Sequence, residues 1–564
     1  MEELDWLVIG VFFLALIGII VWVVRQKQND SADYFLGGRD ATWLAIGASI
    51  FASNIGSEHL IGLAGAGASS GMAMAHWEIQ GWMILILGWV FVPFYSRSMV
   101  YTMPEFLERR YNPQSRTILS VISLVSYVLT KVAVTVYAGG LVFQQVFGIK
   151  ELWGIDFFWI AAIGLVVLTA LYTIFGGMKS VLYTSVLQTP ILLLGSLIIL
   201  VLGFKELGGW DEMMRVCGAV TVNDYGDTMT NLIRSNDDAN FPWLGALIGS
   251  AIIGFWYWCT DQFIVQRVLS GKNEKEARRG TIFGAYLKLL PVFLFLIPGM
   301  IAFALHQKYI GAGGEGFLPM LANGTANADA AFPTLVAKLL PAGVKGLVVC
   351  GILAALMSSL ASLFNSSAML FTIDFYKRFR PETPEKKLVG IGQIATVVIV
   401  ILGILWIPIM RSVGDVLYTY LQDVQSVLAP GIAAAFLLGI CWKRTSAQGG
   451  MWGLIAGMII GLTRLGAKVY YSNAGEVADS TFKYLFYDMN WLFFCGWMFL
   501  FCIIVVIVVS LATEAPTAEK IQGLVFGTAT KEQKAATRAS WDHWDIIHTV
   551  IILAITGAFY WYFW

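Results

Sequence analysis

The sequence predicts an all-α polytopic membrane protein with about fourteen transmembrane helices. Of its 564 residues, 57% are apolar and 13% are charged, whereas a soluble globular protein carries roughly 25% charged residues. Apolar runs of about 20 residues, the length that spans a bilayer, recur to the end of the chain. This composition argues against a soluble enzyme. A formal net charge of zero argues against nucleic-acid binding, which needs a basic surplus on one face.

The first apolar run, residues 6–24, is predicted to be a retained helix. Acidic residues precede it, and Arg25 and Lys27 follow it, which is the reverse of the charge pattern of a signal peptide. The predicted helices cover residues 5–25, 42–70, 74–101, 117–148, 156–176, 180–203, 242–266, 281–305, 346–375, 389–410, 416–442, 447–471, 487–512 and 546–564.

Positive charges orient these helices. If the N-terminus lies outside, the segments assigned to the cytoplasm hold more than twice as many lysines and arginines as the outer segments. A missed or invented helix would invert every later loop and blur this difference. We therefore expect a multi-pass protein of the cell membrane (plasma or inner) with both termini outside, large outer loops at 204–241 and 306–345, and a cytoplasmic linker at 513–545.

Helix two, predicted at 42–70, gathers polar groups where a lipid-embedded helix should be apolar. Asn54, Glu58 and His59 lie at its middle, and each ionisable group at that depth costs roughly 2.5–3.5 kcal/mol on the insertion scale. A packing face of small residues would explain Gly62 but not Glu58 and His59. We therefore expect the helix to break there, exposing carbonyls that can hold ions and polar ligands.

Helix seven, predicted at 242–266, has a second interruption, formed by small and polar residues between Gly249 and Gln262. It would run out-to-in, whereas helix two runs in-to-out five helices earlier. Such a pair indicates a five-plus-five inverted repeat with the substrate between the halves, near the membrane midplane.

The predicted divisions are a first helix and cytoplasmic link (1–41), a first repeat (42–203), an outer loop (204–241), a second inverted repeat (242–442) and peripheral helices 12–14 with the linker 513–545 (443–564).

Three further polar side chains lie within predicted helices: Glu78 in helix three, Lys288 in helix eight and Gln422 in helix eleven. Together with His59 they supply a carboxylate, an ammonium, a carboxamide and an imidazole. This set can bind a ligand that carries many hydroxyl groups, and it would match a zwitterion less economically. Lys288 could instead form a buried salt bridge or extend to the membrane interface.

Helix nine presents a candidate cation site. Ala355, Ser358 and Ser359 are spaced i, i+3 and i+4 and therefore share a helical face. If helix two unwinds, the carbonyls of Ala52 and Ile55 lose their helical partners and can complete a shell of oxygen ligands. No carboxylate is adjacent in this interpretation, so Na⁺ fits better than a divalent ion. Alternatively, the paired serines only pack helices or bond back to the i−4 carbonyl.

Short motifs recur in a fixed order along the chain, at 51–55, 56–57, His59, 62–65, Gly71, Glu78, 103–105, 176–177, 187–189, 257–262, 265–267, 286–289, 357–359, 364–366 and 442–444. With these motifs the chain resembles the sodium/glucose cotransporter branch of the solute:sodium symporter family, from about residue 30 to residue 510. The resemblance is most specific in helices two, seven and nine. It implies a LeuT-type core, fourteen helices and alternating access.

The resemblance also implies roles for individual residues. Tyr257 would stack against the sugar from the cytoplasmic side as an inner gate. The positions that match the family's sugar-binding residues are Asn54, His59, Glu78, Tyr257, Trp258, Lys288 and Gln422. The positions that match its principal sodium site are Ala52, Ile55, Ala355, Ser358 and Ser359, of which Ala355 would contribute only its backbone.

Three positions depart from the family's pattern. Two-sodium members carry Asp where this chain has Ser185 and Thr where it has Ala361, so we predict one Na⁺ per sugar. Glu58 stands where glucose transporters usually have Gly. It could pair with a cation in the outer vestibule or alter the choice of substrate.

The sequence therefore predicts a Na⁺-coupled symporter of a neutral sugar such as glucose or galactose, embedded in a lipid bilayer, with Na⁺ as coupling ion and no cofactor. Alternative solutes are a polyol such as myo-inositol, sialic acid or proline. A non-transporting sugar sensor is a further alternative, disfavoured because no signalling domain follows helix fourteen. An enzyme is the weakest interpretation, since we find no nucleophile–base pair and no nucleotide-binding loop.

Overall fold

Long apolar helices dominate the computed structural model of this chain. It describes residues 1–26, 30–56, 58–321, 324–413, 417–473 and 478–564, without the side chains of 129–130, 409–413, 417–423 and 473. Within these ranges, eleven helices are long and apolar enough to cross a membrane.

The first half of the chain also holds a short antiparallel strand pair, Glu151–Leu152 with Ile155–Asp156. Its helices are Glu3–Val24, Ser31–Leu36, Gly37–Arg39, Trp43–Asn54, Glu58–Leu63, Ala64–Ser70, Gly71–Met74, Ala75–Glu78, Gly81–Ile86, Leu87–Phe91, Val92–Ser98, Met103–Arg110, Pro113–Ser126, Tyr127–Val132, Ala133–Phe147, Phe157–Leu207 and Trp210–Gly218.

The second half is helical in its regular structure. Its helices are Trp243–Gly254, Phe255–Thr260, Gln262–Leu269, Glu274–Lys288, Val292–Leu296, Ile297–Gly311, Ala328–Ala330, Ala331–Leu339, Val344–Met369, Leu370–Tyr376, Lys377–Phe379, Glu385–Val413, Leu417–Cys441, Ala447–Asn473, Thr481–Lys483, Tyr484–Asp488, Trp491–Ala512, Ala518–Ile521, Lys531–Ala539 and His543–Tyr562.

The eleven described spans correspond to the fourteen predicted helices, because some spans contain more than one predicted helix and some predicted helices are divided between two segments. Glu58–Ser98 and Phe157–Leu207 contain 41 and 51 residues, and one crossing needs about 20. Glu58–Ser98 therefore holds the outer half of helix two and all of helix three. Trp43–Asn54 supplies the inner half of helix two, and Ala133–Phe147 completes helix four; both are apolar but shorter than a full span.

The helix Phe157–Leu207 changes direction at Gly177, between predicted helices five and six. Gly177 has a φ of +53°, which L-residues rarely adopt. A Cβ at this position would lie 2.4 Å from the Tyr34 carbonyl oxygen. Glycine is therefore required here both for its backbone conformation and for the close approach of the Ser31–Leu36 helix.

Helix nine lies at the centre of the protein and the terminal helices lie at its edge. In the most apolar 18 residues of Val344–Phe379, 89% are buried inside the protein, against 22% for both Glu3–Val24 and His543–Tyr562. An apolar helix whose side chains remain exposed faces lipid. The helices that carry the predicted ligands are thus screened from the bilayer by others.

The outer half of helix two packs backbone to backbone against Ile297–Gly311. A Cβ on Gly67 would lie 2.2 Å from the Leu296 carbonyl oxygen, and one on Gly299 would lie 2.0 Å from the Ala64 carbonyl oxygen. Small residues permit such close packing in membranes, where lipid offers no hydrophobic drive between helices. This contact fixes the outer half of helix two relative to helix eight.

The segment that leads into the last helix contacts the ends of two other helices. The Arg97 guanidinium of helix three donates to Thr537 Oγ1 at 2.8 Å. Arg279, near the start of Glu274–Lys288, pairs with Asp542 at 2.7 Å and with Asp545 at 3.0 Å. One stretch of chain therefore holds a helix from each predicted repeat.

Candidate functional site

Helix two is interrupted at its middle, as predicted. The α-helix Trp43–Asn54 ends with the Ile55 N–H donating to the Phe51 carbonyl, and Ile55 adopts an extended conformation. Hydrogen bonding resumes where the His59 and Leu60 N–H groups donate to the Gly56 carbonyl. The carbonyls of Ala52 and Ile55 therefore lie outside the described backbone hydrogen bonds and can take part in other interactions.

Helix seven is interrupted at a matching place. Trp243–Gly254 continues as a wider turn, Phe255–Thr260, and Asp261 is extended before Gln262–Leu269 begins. The Asp261 side chain accepts from the Phe263 N–H at 3.3 Å, which caps the second helix half. The prediction that helices two and seven are both interrupted is confirmed.

A small cavity of about 50 Å³ lies between the two interruptions, below the usual size of a small-molecule site. Six of the seven predicted substrate residues line it: Asn54, His59, Glu78, Tyr257, Trp258 and Lys288. The seventh, Gln422, has its side chain outside the described residues. The remaining lining residues are Glu58, Trp77, Gln80, Ile253, Gly254 and Gln425.

A buried ion pair organises the wall of this cavity. Lys288 Nζ lies 2.6 Å from Glu78 Oε2 and also donates to Asn54 Oδ1 at 3.1 Å. His59 Nε2 lies 3.2 Å from the same Glu78 oxygen, close enough for an ion pair when the imidazole is protonated. The buried salt bridge that the sequence left as an alternative for Lys288 is thus present, and it lies on the cavity wall.

The aromatic side of the cavity connects both interrupted helices. Asn54 Nδ2 donates to the Tyr257 hydroxyl at 3.1 Å, which joins helix two to helix seven. Lys288 Nζ lies 5.3 Å from the centre of a Trp258 ring, a cation–π distance. The cavity therefore offers charged and neutral hydrogen-bonding groups beside flat aromatic faces.

Sequence reasoning missed two amides of this site. Gln80 Nε2 donates to the Ser250 carbonyl at 2.8 Å, and its Oε1 accepts from Trp258 Nε1 at 3.3 Å. A Cβ on Gly254 would lie 2.5 Å from Gln80 Oε1, so the glycine makes room for the amide. Gln425 follows Gln422 by three residues in sequence, a helical spacing that could have identified it.

The predicted sodium residues are all buried, and the helix Val344–Met369 packs on Trp43–Asn54. Ala52, Ile55, Ala355, Ser358 and Ser359 are each at most 2% exposed. Ser358 Oγ lies 3.3 Å from Ser185 Oγ, and Ser53 Oγ lies 2.6 Å from Ser362 Oγ. Hydroxyl and carbonyl oxygens of this kind are the ligands that hard cations prefer, and the sodium site remains a prediction.

The structure corrects one premise of the sodium prediction, that no carboxylate is adjacent. A Cβ built on Gly56 would lie 2.7 Å from Glu58 Oε2 and 3.1 Å from Ser359 Oγ. The Glu58 carboxylate and the Ser359 hydroxyl therefore both lie close to the Gly56 backbone, so a carboxylate is near the candidate cation site. Linear spacing could not reveal this, because it does not give the direction of a side chain next to a helix break.

A second buried ion pair lies behind Tyr257. Lys131 Nζ lies 2.6 Å from Asp261 Oδ2, and the Tyr127 hydroxyl also donates to Asp261. Lys131 Nζ is 4.9 Å from the centre of the Tyr257 ring. Asp261, which forms the interruption of helix seven, is thereby anchored to helix four.

Asp329, in the outer loop between two spans, packs against the outer half of helix two. A Cβ on Gly65 would lie 2.5 Å from Asp329 Oδ1, and this oxygen accepts no hydrogen bond from the described residues. Burial raises the pKa of Asp329 from 3.8 to about 6. The folded protein therefore keeps the proton to a higher pH than the unfolded chain does.

This pKa predicts that stability falls as pH rises from about 4 to about 6, where the folded protein binds more protons than the unfolded chain. We expect Asp329→Asn to remove this dependence and to raise the unfolding temperature above pH 6. Thermal unfolding in detergent between pH 4 and pH 8 measures both effects. Glu315→Gln, exposed in the same outer region, is the control. An unchanged pH profile in Asp329→Asn would contradict the prediction.

A polar cavity between two interrupted helices near the middle of a helical membrane protein defines the class of ion-coupled transporters. Comparison with known proteins agrees. Residues 34–457 match the Sodium:solute symporter family. Sodium/myo-inositol cotransporter 2 of Mus musculus is 37% identical over 542 residues, covering 94% of this chain and 80% of that protein.

Two further comparisons concern a second relative and a solved structure. The sodium/myo-inositol cotransporter of Bos taurus is 37% identical over 551 residues, covering 93% of this chain and 76% of that protein. The structure of a Na⁺-coupled sialic acid symporter, in a substrate-bound outward-open state, superposes with a TM-score of 0.72 at 22% identity, covering 92% of this chain and 99% of that one. At this identity, the likeness concerns the fold.

The chain belongs to the sodium:solute symporter family. It is a Na⁺-coupled solute symporter with a LeuT-type fold and many membrane spans, and it is not an enzyme. The expected family and fold class are thereby confirmed. The identity of the solute, the residues that bind it and the number of sodium ions belong to the proposal below.

Proposed function

We propose that the protein carries a neutral six-membered ring with several hydroxyl groups, a cyclic polyol or a hexose, together with one Na⁺. The observation that supports this most is the cavity between the two helix breaks, whose wall is built on the Glu78–Lys288 pair. These two charges cancel. The pair can therefore donate hydrogen bonds to hydroxyl groups and accept them, and it does not require a charged ligand. Asn54, His59 and Gln80 add further hydrogen-bonding groups.

Among solutes of this kind, myo-inositol is the first candidate. Relatives that cover most of the chain are named sodium/myo-inositol cotransporters. Glucose and galactose, expected from the sequence, have the same ring size and a similar set of hydroxyl groups and are the second candidates. Sialic acid carries a charge and proline is a zwitterion, and both would use the balanced Glu78–Lys288 wall less well.

In this proposal Tyr257 closes the path between the cavity and the cytoplasm. Its hydroxyl accepts from Asn54 at 3.1 Å, and the Lys131–Asp261 pair lies behind its ring. Na⁺ bound at Ala52, Ile55, Ala355, Ser358 and Ser359 would hold helices two and nine together in the outward-facing state. Coupling then requires that Na⁺ bind one conformation better than the other.

The proposed stoichiometry of one Na⁺ follows from the residues around Ser358. Ser185 and Ala361, where two-sodium relatives carry Asp and Thr, are fully buried and offer at most one hydroxyl between them. Ser185 Oγ is already hydrogen-bonded to the Val181 carbonyl at 2.6 Å. A neutral solute transported with one Na⁺ should move one elementary charge per molecule.

Proteoliposomes test the proposal directly. An inward Na⁺ gradient is expected to drive uptake of radiolabelled myo-inositol, competed by glucose and galactose but not by proline or sialic acid, with a charge-to-solute ratio of 1. Replacing Na⁺ by choline is the matched control and should abolish accumulation. Uptake of proline or sialic acid in preference to every polyol and hexose would contradict the substrate class. A current without solute uptake would favour the sensor alternative.

A further inference from the structure

Glu58 begins the outer half of helix two and faces two sites at once. It lines the cavity, and its Oε2 lies on the same side of Gly56 as Ser359 Oγ, at 2.7 Å and 3.1 Å from a Cβ built on that glycine. It also lies within electrostatic range of the Lys288 ammonium. One carboxylate therefore borders both the proposed solute cavity and the proposed sodium site.

The other carboxylates around the cavity are already matched by cations. Glu78 pairs with Lys288 and Asp261 pairs with Lys131, both at 2.6 Å. Among the described residues, no lysine, arginine or histidine forms an ion pair with Glu58. The serines of the sodium site supply oxygens but no charge. Of the carboxylates that line the cavity, Glu58 is therefore the one without a directly paired cation among the described residues.

We propose that Glu58 supplies the negative charge of the sodium site, and that Na⁺ bound at Ala52, Ile55, Ala355, Ser358 and Ser359 balances this carboxylate. The inference rests on the sodium site of the proposed function and adds a residue to it. A carboxylate a few ångströms from a monovalent cation in a buried, poorly screened region stabilises the bound ion strongly. Neutral carbonyl and hydroxyl ligands alone do not offer this long-range attraction.

The same charge gives a physical basis for coupling. Without Na⁺, the cavity wall carries a carboxylate with no directly paired cation, and covering it with a neutral polyol removes its water, which is costly. With Na⁺ bound, the carboxylate is balanced and can accept from a solute hydroxyl. Sodium should therefore bind first. Bound Na⁺ should raise the solute affinity by the same factor by which bound solute raises the Na⁺ affinity.

The test is Glu58→Gln, which keeps the shape and removes the charge. The full chain in nanodiscs is titrated with ²²Na⁺, and myo-inositol binding is measured at low and at saturating Na⁺. We expect the half-saturating Na⁺ concentration to rise about tenfold. The gain in myo-inositol affinity between low and saturating Na⁺ should become smaller. Wild-type Na⁺ affinity in Glu58→Gln would overturn the inference.

Three further variants keep the result interpretable. Glu58→Asp retains the charge and should keep Na⁺ affinity within about threefold of wild type, so an equal loss in the Asp and Gln variants would refute a role of charge. Glu315→Gln, an exposed outer-loop carboxylate, should change neither affinity. Ser359→Ala separates the two proposals. If it lowers Na⁺ affinity and Glu58→Gln does not, the carboxylate role alone fails; if neither variant does, the proposed sodium site itself fails.

Discussion

Replacing Ser359 by alanine is expected to abolish Na⁺-stimulated uptake of myo-inositol in proteoliposomes while the protein remains folded. Ser359 is 2% exposed, on the central helix beside the interruption of helix two. The substitution removes one hydroxyl oxygen that Na⁺ would use and leaves the methylene that packs. Loss of one of a few ligands should lower the Na⁺ affinity strongly. In a buried site, water cannot easily take the place of the lost hydroxyl.

Ser367→Ala is the matched control for this experiment. Ser367 lies two turns further along the same helix, is fully buried, and its hydroxyl has no hydrogen-bond partner among the described residues. Removing it should leave Na⁺-driven uptake near wild type. Normal Na⁺ affinity in Ser359→Ala, with correct folding, would contradict the assignment of this residue to the sodium site.

Replacing Lys288 by methionine is expected to reduce uptake more than a hundredfold and to destabilise the protein by about 3–5 kcal/mol, the usual cost of removing one member of a buried ion pair. The reason is that Glu78, 2% exposed, would keep its charge without its partner at 2.6 Å. Thermal unfolding in detergent measures the stability, and solute binding at saturating Na⁺ measures the site.

The double variant Lys288→Met/Glu78→Gln separates the two effects. It removes both charges, so much of the stability should return, since a buried ion pair can often be replaced by neutral groups without net loss. Solute binding should remain poor, because the groups proposed to meet the hydroxyls are gone. Recovery of uptake together with stability would show that the pair only holds the fold.

The breaks in helices two and seven could be predicted because lipid makes polar residues costly at the middle of a span. Asn54, Glu58 and His59 have no reason to share a continuous lipid-embedded helix, and their clustering was sufficient evidence. The same reasoning identified Glu78 and Lys288. That these two contact each other could not be predicted, because they lie in different helices and only packing brings them together.

The residues that sequence reasoning missed depend on side-chain direction. Gln80 lies near Glu78 in sequence, but it reaches the cavity because Gly254 of helix seven leaves room for its amide. Glu58 was recognised as unusual, yet its proximity to Ser359 arises where the chain is not helical and no regular periodicity applies. Helix boundaries near breaks differ from the predicted spans for the same reason.

The contacts of Arg97 and Arg279 with Thr537, Asp542 and Asp545 restrict how the protein can change shape. Helices three and eight both bind the polar segment that leads into the last helix. They should therefore move as one rigid unit during the change between outward-facing and inward-facing states. Displacement is then expected between this unit and other helices packed on it, such as Phe157–Leu207. Spin labels on helices three and eight would keep a constant separation throughout the cycle.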